Sequence, residues 1–419
     1  MSQRFSILFH DLNHLIFEVI MAIKAFSRPF TQQESISQEA IDAAVEVLKS
    51  GRLHRYNTVE DELSEVSLLE QEYANYQGSK YCLACASGGY AMSVALRAAG
   101  LQPGESVLTN TFTLAPVPGS ISNAGGKPIF IEITKDLVLD LDDLSKKANS
   151  SGARFLLISH MRGHLVDMDQ LMKIVNENNL ILIEDCAHTM GAQWGKQKSG
   201  NFGLAGCFST QTYKHLNSGE GGLLTSNDEE FMARAIIYSG SYMLYERHGA
   251  SPKAEVFENI RLETPNYSGR MDNLRASILR PQLGNLDNNV ERWNERYQLV
   301  ESKLRQVKGI EVPVRFKEER YVGSSIQFRI PGISNSEAKT FIESNKKLGV
   351  ELKWFGNDDP NGFTSNHKSW KYVSSQELKK SDEILSCLFD LRLPLTFTLG
   401  DCSHLSEVII ECADRLLDQ

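Results

Sequence analysis

Ile181-Leu-Ile-Glu-Asp185-Cys-Ala-His188 is a short apolar run that ends in two carboxylates and a histidine. An apolar run of this length reads as a buried strand, and ligands of parallel sheets bind at the carboxyl ends of such strands. Outward from it, short apolar runs at 81–85, 106–108, 128–131, 154–159, 180–184, 206–209 and 222–225 alternate with amphipathic stretches at 89–99, 114–123, 141–148, 168–178 and 228–239. Strands joined by helical crossovers predict an α/β domain, a mainly parallel sheet flanked by helices. A polar helix expected over 288–307 then leads into a short α+β region, with strands at 325–330 and 350–353, a helix at 336–347 and a surface loop at 357–375. These patterns predict a large domain over 28–285 and a small C-terminal α+β domain over 286–419.

Composition narrows the class. A chain of 419 residues exceeds one simple domain, and a net charge of -9 without a Lys/Arg-rich run argues against a nucleic-acid partner. Seven cysteines scattered through apolar surroundings are unlike a disulfide framework and point to a reducing cytoplasm. Residues 5–26 are rich in Leu, Ile and Phe, but Asp11, Asn13, His14, Glu18 and Lys24 interrupt them. No run there reaches the roughly 18 residues of a membrane span. The expectation is an amphipathic extension over 1–27, the alternative being a start at Met21.

Three segments carry chemistry. Asp185, taken alone, reads first as an ordinary helix N-cap and only second as a catalytic group. Cys207-Phe-Ser209-Thr-Gln-Thr-Tyr-Lys214-His-Leu-Asn-Ser-Gly219-Glu-Gly-Gly222 runs a strand into a polar turn bearing one lysine. Cys85-Ala-Ser87-Gly88-Gly89-Tyr90 joins a strand to a helix through small residues that leave backbone N–H groups open to an anion. Each is weak alone. Together they supply a cradle for a phosphate, a carboxylate for a pyridine nitrogen and an amine for an aldehyde, the set that pyridoxal 5'-phosphate (PLP) needs. A carboxylate about 4 Å from the protonated ring favours it by roughly 4 kcal/mol at an effective dielectric near 20. The protonated ring draws electrons, so a substrate Cα–H can ionise, and a neutral Lys214 can then move that proton.

On these residues the chain resembles the DegT-type sugar aminotransferases, fold-type I PLP enzymes whose lysine lies five positions after a serine, as in Phe208-Ser209 to Lys214. The resemblance extends through Arg28-Pro-Phe, Val45 to Gly51, Pro103 to Leu108, Phe112-Thr113, His160-Met-Arg-Gly163, Asp167-Met-Asp169 and Arg270-Met-Asp-Asn-Leu274. It implies that Lys214 carries PLP as a Schiff base, Asp185 pairs with the pyridine nitrogen and His188 lies near the ring hydroxyl. It further implies that Ser209, Ser87 and Gly88 hold the phosphate. A homodimer with shared sites is implied as well, with Asn266 and Ser268 reaching the partner's phosphate. Gly89, Leu114 and Ser268 depart from the family's usual threonine, stacking aromatic and asparagine, so cofactor retention is expected to be weaker.

The implied reaction moves an amino group from an amino acid, glutamate, to a keto or aldehyde sugar. His160-Met-Arg-Gly163 and Gly219-Glu-Gly-Gly222 look most like the branch aminating 3-deoxy-octulosonate-type sugar acids for lipopolysaccharide. Alternatives are a PLP-dependent sugar dehydratase, which has histidine in place of the lysine, and a PLP-binding regulatory protein without turnover. Arg247, His248 and Trp354 are candidate substrate contacts, with interface or core packing as the alternative. His215 next to Lys214 is expected to point away. Cys82-x-x-Cys85 has zinc-like spacing without a second pair and reads as core, so no metal site is expected.

Overall fold

The computed structural model describes residues 23–362 and 364–417, and the extension expected over 1–27 lies almost wholly outside them. The large domain is built on β1 (Tyr81–Cys85), β2 (Ser106–Asn110), β3 (Lys127–Ile131), β4 (Phe155–Ser159), β5 (Ile181–Asp185), a small hairpin of β6 (Gln193–Trp194) and β7 (Gln197–Lys198), then β8 (Ala205–Ser209) and β9 (Gly222–Ser226). Seven of these form one sheet in the order β1-β9-β8-β5-β4-β2-β3. The run from β3 to β8 is parallel, whereas β9 lies antiparallel to both β8 and β1.

The chain itself explains that exception. Parallel neighbours need a crossover, usually helical, but β8 and β9 are joined only by the loop 210–221, which returns the chain beside itself. Both sheet faces are covered. Along β4, Phe155 and Leu157 enter one apolar core and Leu156 and Ile158 the other, which is why the strands read as continuous apolar runs.

The small domain has β10 (Glu319–Arg320), which extends the β6–β7 hairpin, and an antiparallel sheet of β11 (Ser325–Arg329), β12 (Lys353–Trp354) and β13 (Leu388–Arg392) in the order β11-β13-β12. The strand expected at 350–353 is only Lys353–Trp354. The central strand, β13, escaped notice because Asp390 and Arg392 interrupt its apolar pattern. Helix Leu286–Leu304 ties the two cores together: Leu286, Val290 and Trp293 pack in the large one, and Tyr297, Val300 and Leu304 in the small one. Phe26 and Phe30 also pack into the small core, so the N-terminal described residues belong spatially with the C-terminal ones.

A buried ion pair anchors the entry to β1. Arg55 donates to both carboxylate oxygens of Glu70 at 2.9 Å, and Glu70 also accepts the Ala84 N–H at 2.9 Å. Burial opposes the Glu70 charge, but Arg55 and His248 outweigh it and hold its pKa at about 2. Removing one charge of a buried pair typically costs about 3–5 kcal/mol. Glu70→Gln should therefore lower the unfolding free energy by about that much in denaturant titration. A loss below about 1 kcal/mol would show that the pair is not holding this region.

Candidate active site

Sheet topology brings the chemistry together. β1, β5 and β8 run the same way, so Ser87, Asp185 and the loop after Ser209 emerge at one edge. The lysine loop is pinned to itself, with Thr210 N–H donating to Gly221 O at 2.9 Å and Ser218 N–H to Thr210 O at 3.0 Å. Gly221 has φ +151, and a Cβ there would lie 2.2 Å from Thr210 Oγ1, so this close return requires glycine. Lys214 Nζ lies 2.8 Å from His188 Nε2. Asp185 is fixed from both sides, its Oδ2 accepting from Ser159 Oγ at 2.7 Å and its Oδ1 from Ala187 N–H at 3.1 Å.

These residues fit PLP. Ser87 caps helix Gly88–Ala98, taking the Tyr90 N–H at 3.0 Å, and the helix start faces Ser209. A Cβ on Gly88 would come within 2.9 Å of Ser209 Cβ, so glycine keeps the cradle open where backbone and hydroxyls converge. Asp185 would hold the pyridine nitrogen and Lys214 the aldehyde. Leu114 packs beside the cluster of Phe112, Met161 and Phe355, an aliphatic neighbour where a stacking ring was absent from the sequence.

Electrostatics tune the amine. The Lys214 side chain is half-buried, and protein surrounds its amine. Burial first, then Arg162, lowers its pKa to about 7, against the opposing pull of Asp185. Burial also holds His188 well below its ordinary value, with Lys214 adding to the effect. His188 is thus neutral and Lys214 substantially so near neutral pH, the state a nucleophilic amine needs.

Other expected residues fall elsewhere. His248 joins the buried ion-pair network, 2.6 Å from Tyr56 Oη and 2.9 Å from Arg55 Nη2. Arg247 donates to Tyr56 O at 3.0 Å. Trp354 is turned into the small core, its indole N–H donating to Ser386 O at 2.7 Å. Asn266 Oδ1 accepts the Ser268 N–H at 2.8 Å, and both residues are exposed beside the strand end at Ala86, whose N–H donates to Gly269 O at 2.8 Å. His215 packs edge-on against Trp293, 3.2 Å from Ser324 Oγ, and burial pushes its pKa to about 3. Cys82 and Cys85 are buried in β1.

Three groups at or near the site escaped the sequence reading. Ser159 meets Asp185 only through the β4–β5 register, which no local pattern encodes. Glu184 accepts the N–H groups of Gly200, Phe202 and Gly203 at 2.8, 2.8 and 3.0 Å and lies 3.1 Å from His160 Nε2. Ligand atoms of His160, Glu184 and Cys186 lie within 4.8 Å of one another, yet that carboxylate is already occupied by its donors and acts as a latch under the site. The third is a basic group formed by Arg162, Lys353 and Arg392; the sequence showed Arg162 only within His160-Met-Arg-Gly163, with no sign that it meets the other two.

A lysine amine, a strand-end carboxylate and a serine–glycine cradle at the carboxyl edge of this sheet define a PLP-dependent aminotransferase of fold type I. Residues 34–408 match the DegT/DnrJ/EryC1/StrS aminotransferase family, and the chain belongs to that family. It is similar to a pleiotropic regulatory protein of Geobacillus stearothermophilus, 29% identical over 63% of this chain and 65% of that protein. It is also similar to a dTDP-3-amino-3,4,6-trideoxy-alpha-D-glucose transaminase of Micromonospora megalomicea, 30% identical over 66% of this chain and 70% of that one. The fold is shared with a GDP-4-keto-6-deoxymannose-3-dehydratase structure at a TM-score of 0.78 and 20% identity, covering 91% of this chain and 100% of that one. Among the described residues no helix is long and apolar enough to cross a membrane.

The lowered lysine pKa has a kinetic consequence. Protonated amine does not attack an aldehyde, so capture of PLP by the apoprotein should rise with pH around a midpoint near 7, where the Lys214 amine loses its proton. Stopped-flow absorbance of apoprotein mixed with PLP measures it. A midpoint still above 9 would mean that the amine is not desolvated as the structure shows.

Proposed function

We propose that this protein transfers an amino group from glutamate to a keto or aldehyde carbon of a sugar or sugar acid, such as an 8-oxo-3-deoxy-octulosonate. The supporting observation is the Lys214 amine, held 2.8 Å from His188 Nε2 on the same sheet edge as Asp185. The cofactor, when bound, supplies the electron sink for the substrate α-carbon. Lys214 Nζ takes and returns the proton, and Asp185 would hold the ring nitrogen of the bound cofactor and favour its protonated form. Ser159 Oγ and Ala187 N–H orient that carboxylate. His188, neutral, exchanges a hydrogen bond with Lys214 without competing for its proton. The site works in the cytoplasm as a homodimer, Asn266 and Ser268 reaching the partner's phosphate. Their exposure beside the cradle strand supports that arrangement.

Lys214 stands against the dehydratase alternative, in which histidine takes the lysine's place. Likeness to a pleiotropic regulatory protein keeps a non-catalytic reading in play, and one experiment separates them. L-Glutamate added to the holoprotein without acceptor should bleach the visible band and release one 2-oxoglutarate per chain. Absence of 2-oxoglutarate would favour the regulator.

Asp185→Asn should retain cofactor through the cradle yet lose turnover by about 10²-fold or more, the scale of a lost electrostatic partner. Near-normal turnover would reduce Asp185 to a cap on the turn that follows it, which it already closes through the Ala187 N–H. For the shared site, Lys214→Ala mixed with a variant altered at Asn266 and Ser268 should regain partial activity once subunits exchange. Exchange confirmed by mass without any return of activity would rule the shared site out.

A further inference from the structure

The large sheet splits where the site begins. β2 and β4 pair in parallel at Val107 with Phe155 and at Leu108 with Leu156, and their pairing stops there, whereas β4 and β5 stay paired as far as Ser159 and Asp185. Past that point β2 leans on its other neighbour: Thr111 gives both its N–H, at 3.0 Å, and its hydroxyl, at 2.6 Å, to Ile131 O. The β2 backbone is therefore no longer a partner for Ser159, and buried backbone groups need partners.

One side chain closes the gap. Asn110 Oδ1 accepts the Ser159 N–H at 2.8 Å, and Asn110 Nδ2 donates to Ser159 O at 3.0 Å and to Phe112 O at 2.7 Å. The carboxamide thus stands in for the strand bonds that the β2 backbone has stopped making. Only a carboxamide offers an acceptor and two donor hydrogens in one plane, and here all three are used. With its backbone held on both sides, Ser159 donates its hydroxyl to Asp185 Oδ2 at 2.7 Å, and the Ala187 N–H holds Oδ1 at 3.1 Å. Asn110, Ser159 and Asp185 are all buried, so these bonds are not traded with water. Two hydrogen bonds therefore set the orientation of the carboxylate, and one of them depends on a residue of a strand that does not touch Asp185.

We propose that Asn110 is a positioning residue for the cofactor's ring nitrogen: by clamping the Ser159 backbone across the split it aims the Ser159 hydroxyl at Asp185 and keeps that carboxylate turned to the ring. This rests on the reading that Asp185 holds the ring nitrogen, and not on amino transfer. A carboxylate that loses one of its two holds can turn away, and the ring then keeps its proton less well, because a facing negative charge is what favours the protonated form.

The test loads the holoprotein with PLP isotope-labelled at the ring nitrogen and reads that nitrogen by NMR in mildly alkaline buffer, a signal that protonation moves and a mere change in fold stability does not. Wild type should show the protonated ring, and so should Thr111→Val, which removes a hydrogen bond from the same strand end on its other side. Ser159→Ala and Asn110→Ala should each lower the ratio of protonated to unprotonated ring roughly tenfold or more, the scale of one hydrogen bond to a charged group. Ser159→Thr, its hydroxyl retained, should recover most of the wild-type ratio. Should Asn110→Ala fail to fold, Asn110→Leu, closer in volume to asparagine, carries the comparison. Because Asn110 acts through Ser159, the double variant should read the same as Ser159→Ala alone. Additive effects overturn the proposal, and so does a wild-type signal in Ser159→Ala or in a folded Asn110 variant. Asp185→Asn separates the clamp from the reading beneath it. If Asp185→Asn lowers the ratio and the Asn110 and Ser159 variants do not, the clamp fails and the role of Asp185 stands; if Asp185→Asn leaves the ratio unchanged, both fall.

Discussion

A lysine amine kept largely out of water beside positive charge is the constraint around which the site is arranged. Taken out of water, Lys214 is held near a pKa of about 7 by burial and by Arg162. An ammonium in the same place would bond to water or a carboxylate and attack nothing. Keeping the amine dry requires a loop that cannot drift, and the return from β8 to β9 provides it, closed on itself by the Thr210 and Ser218 N–H bonds and by Gly221. Because that return replaces a helical crossover, β9 is the antiparallel member of an otherwise parallel run, and the lysine emerges next to Asp185 on the adjacent strand.

The second consequence of that charge balance is coupling between domains. Arg162 belongs to the turn after β4 yet pairs with Asp390 in the centre of the small sheet, and His164, directly after that turn, lies 2.7 Å from Gln327 Oε1. Helix Leu286–Leu304 carries the same coupling in apolar form, packing its two ends in two cores. The small sheet divides its faces: Phe328, Phe389 and Leu391 fill the core, and Gln327, Asp390 and Arg392 lie on the other face.

Much of this was legible in the sequence because the large sheet is buried on both faces. Its strands are unbroken apolar runs ending in chemistry-bearing residues, so Asp185, Ser209 and Lys214 announce themselves at strand ends. What could not be read depends on pairings between distant segments. Ser159 acquires its role from register with Asp185, and Glu184 from the loop 200–203 folding back onto it. At Lys353-Trp354 the aromatic residue was the candidate substrate contact, yet strand alternation turns Trp354 to the core and Lys353 to the opposite face, beside Asp390. His248, a candidate substrate contact or interface residue in the sequence, is fastened to Arg55 and Tyr56, which lie nearly two hundred residues earlier in the chain.

Covalent trapping examines the role of Lys214 most directly. Reduction of the yellow holoprotein with borohydride, followed by peptide mapping, should place the phosphopyridoxyl group on Lys214 in the peptide spanning Ser209 to Gly222. A label on any other lysine, or a protein that binds PLP but takes no reducible label, would remove Lys214 from the centre of the site.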